Sequence, residues 1–123
     1  MGAVKTNSIR FTLYDLPESL NDWQNLHWME KAHRSKKINR DIYYISYNQR
    51  PKKPYERAHV KITIFFPTNR ARDERNYSCK PEIDGLVKAK IIKDDNIKII
   101  GKPEINLAYD PKNPRTEYEI TEI

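Results

Sequence analysis

The chain has 123 residues, a mass of 14.7 kDa and a formal net charge of +6, enough for one hydrophobic core and too little for two. No apolar run approaches the ~18 residues of a membrane span, and no charged-then-apolar leader opens the chain, so neither membrane insertion nor secretion is expected. The single cysteine, Cys79, excludes an internal disulfide, fits a reducing cytoplasm, and reads as a small buried residue rather than a nucleophile.

Residues 1–8 are polar, and a frayed start is expected there. Ile9, Phe11 and Leu13 alternate with Arg10, Thr12 and Tyr14, which predicts a half-buried strand closed by Pro17. Residues 18–25 have no strong period. From Trp28 onward, Ala32, Ser35, Ile38, Ile42 and Ile45 recur at steps of three and four, an amphipathic helix with Trp28 in its packed stripe. Lys31, Arg34 and Lys37 fall away from that stripe and give the helix a basic side toward solvent or DNA. A loop then carries Pro51, Lys52, Lys53 and Pro54. Its prolines prevent regular pairing, leaving the lysines free to follow a phosphate backbone. Val60, Ile62, Ile64 and Phe66 next alternate with Lys61, Thr63 and Phe65, and Phe65 on the second face predicts a central strand.

Pro81 suits a helix start, and Ile83, Leu86, Val87 and Ile91 continue a helical stripe over residues 81–92. Gly85 inside it implies close approach of another backbone, read as the loop over residues 74–79. Residues 97–100 read as extended, with Gly101 and Pro103 marking a bulge or an edge. Ile105, Leu107 and Tyr109, then Tyr118 and Ile120, predict a terminal antiparallel hairpin around residues 110–115. The order describes one α+β domain: a mixed sheet of about four to five strands against two main helices.

Charge is uneven along the chain. Residues 31–61 hold ten Lys or Arg against Asp41 and Glu56, while the rest holds 13 against 15 acidic residues. That asymmetry suggests one part that holds phosphates and another that holds metal. Six of the seventeen acidic residues fall in residues 70–95: Asp73, Glu74, Glu82, Asp84, Asp94 and Asp95. Converging carboxylates hold Mg²⁺, the ion of phosphodiester chemistry. Reach permits convergence: a helix over residues 81–92 is about 18 Å long, and residues 74–79 extend to about 20 Å. Such a loop can run back along the helix and bring Asp73 near Asp95.

The ordered pattern in this stretch is Arg70, Arg72, Asp73 and Asn76, then Lys80, Pro81, Asp84, Gly85, Leu86 and Val87, then Ile92, Asp94 and Asp95, with Asn25, His27 and Trp28 upstream. It resembles the RusA-like Holliday junction resolvases of phages and prophages, over most of the chain from Asn25 onward. The resemblance implies a Mg²⁺-dependent endonuclease, with Mn²⁺ an alternative ion, that resolves four-way junctions or other branched DNA as a homodimer in the cytoplasm. It implies Asp73 and Asp95 as catalytic metal ligands with Asp94 beside them, and Glu74 or Asp84 as a third carboxylate. Lys80 would stabilise a phosphate oxygen and Asn76 would orient the loop or a carboxylate. His27, Lys31, Arg34, Lys37, Lys52, Lys53, Arg70, Arg72, Arg75 and Asn76 are the candidate DNA contacts.

One position departs from the pattern. Where the family carries a second aspartate, this chain has Arg75, which cannot ligate a cation and repels one. A RusA-like protein that binds branched DNA without cutting it is therefore the rival reading. A small basic RNA-binding protein is a second rival, one that accounts for the charge but not for the ordered carboxylates.

Overall fold

The alternation over residues 58–66 becomes the spine of the molecule. Strand β2 (Ala58–Phe66) buries Ala58, Val60, Ile62, Ile64 and Phe66 on one face, as a two-residue period requires. The computed structural model describes residues 7–123, so the expectation of a frayed start lies outside the described residues. Ahead of β2 come β1 (Ser8–Leu13), a short helix α1 (Leu20–Gln24) and the long helix α2 (Trp28–Ile45). After it come α3 (Lys80–Lys88), α4 (Ile97–Ile100), β3 (Glu104–Tyr109) and β4 (Arg115–Glu122). The result is a single α+β domain whose four-stranded mixed sheet runs β1-β4-β2-β3. β4 is antiparallel to both β1 and β2, and β3 is parallel to β2.

Helices α2 and α3 complete the core, contributing Ile42, Ile83 and Leu86, with Ile91 and Ile92 following α3. The contact between the two helices explains Gly85. A Cβ there would lie 2.7 Å from Ile42 Cδ1 and 3.2 Å from Asn39 Oδ1, so the close neighbour is α2 and not the loop over residues 74–79. Helix α2 has the expected bounds but packs mainly through its second half. Ile42 is its one fully buried residue, while Trp28 is 71% exposed and Ile45 47%. Trp28 therefore does not belong to the packed stripe.

Three further expectations change. Helix α3 stops at Lys88 and not near residue 92. Lys90 takes the left-handed conformation at φ 63°, its N–H bonds to Val87 O at 3.0 Å, and Ile91 N–H bonds to Leu86 O at 3.1 Å. This paired closure is the Schellman arrangement, normally built on glycine. It turns the chain so that Ile91 and Ile92 enter the core from an extended segment bridged to Tyr55. Residues 97–100 form α4 instead of a strand, because the Asn96 side chain accepts from Lys98 N–H and Gly101, at φ 60°, ends the turn. Finally, β3 and β4 are not a hairpin, since β2 lies between them. Their link has only to cross two strand spacings, roughly 10 Å, which five residues do easily.

Lys90 offers a stability test. A lysine in the left-handed region carries strain that glycine avoids. Lys90→Gly is expected to stabilise the fold by about 1 kcal/mol, read as a higher denaturation midpoint at unchanged slope.

Candidate functional site

The turn at Lys90 also builds the site. Helix α3 rises about 13 Å over its length at ~1.5 Å per residue, and residues 91–95 run extended past it. That return delivers Asp95 to Lys80, the first residue of the helix. In the loop over residues 74–79, expected to run back along the helix, Glu74–Asn76 form a 3₁₀ turn and Asn76 bonds to α1.

At the start of α3 one ammonium serves two carboxylates. Lys80 Nζ donates to Asp95 Oδ2 at 2.8 Å and to Asp84 Oδ1, one helical turn on, at 3.3 Å. Hydrogen bonding to Lys80 holds the Asp95 carboxyl below the usual carboxylate range. Asp95 and then Asp84 raise the Lys80 ammonium in return. Both lysine and carboxylates reach solvent, so the arrangement can exchange its partners. Asp94 lies beside it, but its oxygens accept from Asp95 N–H at 2.8 Å and Asn96 Nδ2 at 3.1 Å. It shapes the turn into α4.

Asp73 is occupied elsewhere. Its carboxylate caps a single 3₁₀ turn (Glu74–Asn76) by accepting from Arg75 N–H at 2.9 Å, and it takes Arg75 Nε at 3.2 Å and Nη2 at 3.0 Å. Those bonds to Arg75 lower the Asp73 carboxyl. Glu74 is exposed on the same turn. Among the described residues no three His, Cys, Asp or Glu side chains gather as a metal-ligand group. The convergence is of two carboxylates, Asp84 and Asp95. A divalent cation there would have to displace the Lys80 ammonium from between the two carboxylates. It does not fit at Asp73 while Arg75 holds that carboxylate.

The remaining candidates divide by what holds them. Asn76 Oδ1 accepts from Asn21 N–H at 3.3 Å and ties the loop to α1. Arg72 bonds Thr68 O and Arg70 O and stacks over Phe66 at 3.8 Å, which folds the loop after β2. His27 caps α2, its Nδ1 accepting from Met29 N–H at 3.2 Å. Arg34 pairs with Glu18 and Glu30, and Lys37 with Asp15 and Asp41 at 2.7 Å each. Two of the three residues on the basic side of α2, Arg34 and Lys37, are thus spent on internal pairs. Among the described residues Lys31, Lys52, Lys53 and Arg70 enter no ion pair. Lys52, Lys53 and Arg70 are exposed on loops.

Beside Lys80 opens a cleft of about 480 Å³ between residues 15–24, α2 and the start of α3. Glu82 lines it and is only 4% exposed; burial raises its carboxyl to about 7. Sequence reasoning placed Glu82 among the acidic residues of the stretch but not in a buried position, since a first-turn glutamate ordinarily faces solvent. Cys79 is buried at the cleft wall with its thiol pushed up by desolvation. No helix among the described residues is long and apolar enough to cross a membrane. No protein-family model and no curated protein matches the chain.

Proposed function

We propose that this chain is a metal-dependent endonuclease acting on branched DNA, with Asp84 and Asp95 as the carboxylates that hold its divalent ion. The observation that carries the reading is the convergence of both carboxylates on one cationic point, the Lys80 ammonium. Mg²⁺ suits an all-oxygen site of this kind, and Mn²⁺ substitutes. When bound, such an ion neutralises charge developing on the phosphate and acidifies water. Lys80, with a side chain 67% exposed, reaches a non-bridging phosphate oxygen from the same position. A homodimer suits the two-fold symmetry of a four-way junction cut on two strands, and the resemblance to RusA-like resolvases supports both dimer and substrate. The lone buried thiol agrees with a cytoplasmic protein.

A second reading, a binder of branched DNA that does not cut, is favoured by the Asp73–Arg75 bond, which withdraws one carboxylate. Purified protein on a four-way junction and a matched duplex, with and without Mg²⁺, separates the two. Cleavage of the junction only with Mg²⁺ supports the nuclease. Binding without cleavage leaves the second reading, and no junction preference removes both.

The basic loop gives a distinct test. Lys52 and Lys53 are exposed and enter no ion pair among the described residues, so neutralising both leaves the fold intact. Lys52→Ala with Lys53→Ala is expected to weaken junction binding and to lower the slope of log affinity against log salt by about 2. An unchanged slope excludes this loop from the interface.

A further inference from the structure

The cleft beside Lys80 has walls and a polar group unlike those of the carboxylate pair. Leu16, Leu20, Trp23 and Ile38 give it apolar and aromatic sides. Glu82, almost fully buried, lines it, and among the described residues no other side chain hydrogen-bonds its carboxyl. Its own backbone N–H is the donor to that carboxyl, which leaves further lone pairs that accept hydrogen bonds in either protonation state. Its natural complement is a flat, largely apolar group that brings N–H donors with it. The volume lies within the range of small-ligand sites. Lys80 lines this cleft and also bridges Asp84 and Asp95, so cleft and carboxylate pair adjoin.

We infer that the cleft receives one unstacked nucleobase of the DNA, with the Glu82 carboxyl accepting from the base's exocyclic amino group and Trp23 lying against the ring. Nucleases and base-modifying enzymes face the same demand of reading a single extruded base, met by edge hydrogen bonds and an aromatic or apolar wall. Adenine, cytosine and guanine carry an exocyclic amino group; thymine carries none. The cleft therefore selects which nucleotide stands next to the cleavage point, a preference for amino-bearing bases over thymine. A glutamate accepting from an amino group at a base edge is also a known mode of discrimination in duplex readout. The inference rests on the nucleic-acid reading above and supplies the base specificity of that site.

The test uses the full chain and two matched nucleotide pairs, dCMP against dUMP and dAMP against dIMP, each pair differing at the amino-bearing position of the base. Binding is followed by NMR shifts of the Trp23 indole and the Glu82 amide. The amino-bearing partner of each pair is expected to bind about tenfold more tightly, the scale of one base-edge discrimination. Glu82→Gln is expected to erase that preference, because an amide both donates and accepts. Leu20→Trp, which narrows the cleft and leaves the Glu82 carboxyl in place, is expected to weaken all four ligands alike. Equal binding of amino and keto nucleotides, or shifts that avoid Trp23 and Glu82, overturns the proposal. Junction binding measured on the same samples keeps the two ideas apart. A bound junction with no amino preference removes the base cleft alone, and an amino preference without junction binding removes the branched-DNA reading while the cleft stands.

Discussion

Asp95→Asn is expected to lower Mg²⁺-dependent junction cleavage by about a hundredfold or more, the loss that follows when a ligand to a Lewis-acidic ion is removed. Asparagine keeps the shape and an acceptor oxygen but removes the charge. The fold should barely notice, because Asp95 and Lys80 form a pair that solvent reaches, with the lysine side chain 67% exposed, and such pairs contribute little to stability. Activity and thermal stability measured together check this. A large loss of stability, or unchanged cleavage, means Asp95 is only the structural partner of Lys80. The pairing also has a pH signature. Because Lys80 lowers the Asp95 carboxyl, the ion pair is intact at neutral pH and survives mild acid. It is lost only as pH falls through the lowered value.

Arg75→Asp is the second large effect, in the opposite direction. Arg75 is 91% exposed and spends its guanidinium on Asp73. Removing it frees the Asp73 carboxylate and puts a second beside it, so this turn gains two carboxylates in place of an ion pair. Mg²⁺ affinity is expected to rise roughly tenfold, within the range by which groups around metal ligands alter affinity, and junction cleavage to rise with it. Calorimetric Mg²⁺ titration and a cleavage assay read the two effects. If neither changes, Arg75 does not stand in a ligand position and Asp73 has no part in the site.

The particular residues explain how much of this was legible. Strands β1 and β2 follow directly from their alternation, and α2 has the bounds its three-and-four spacing predicts although only its second half packs. The strands β3 and β4 were legible too, but not their partners: alternation is the same whether a strand pairs with its neighbour in sequence or with β2. The end of α3 was hidden because a lysine takes the left-handed place that glycine usually marks. Helix α4 had a signal in Asn96 and Gly101, a cap at each end, which the apolar run between them outweighed.

The site divides in the same way. The acidic stretch and the role of Lys80 as the partner of Asp84 could be read from four-residue spacing. The meeting of Asp95 with that pair depended on the turn at Lys90, which a helix drawn four residues too long concealed. Nothing in the sequence announced that Glu82 is buried. Its neighbours Ile83 and Leu86 face the core, and the cleft forms only when residues 15–24 fold over the start of α3.

The central claim is that Asp84 and Asp95 form one cation site around Lys80. Titration of the protein with Mn²⁺, read as paramagnetic broadening in NMR spectra, tests it most directly. Signals of Lys80, Asp84 and Asp95 are expected to broaden first and together, at sub-stoichiometric metal, with Mg²⁺ competing the effect away. Broadening that begins at Asp73 and Glu74, or that spreads evenly over all exposed carboxylates, would contradict it.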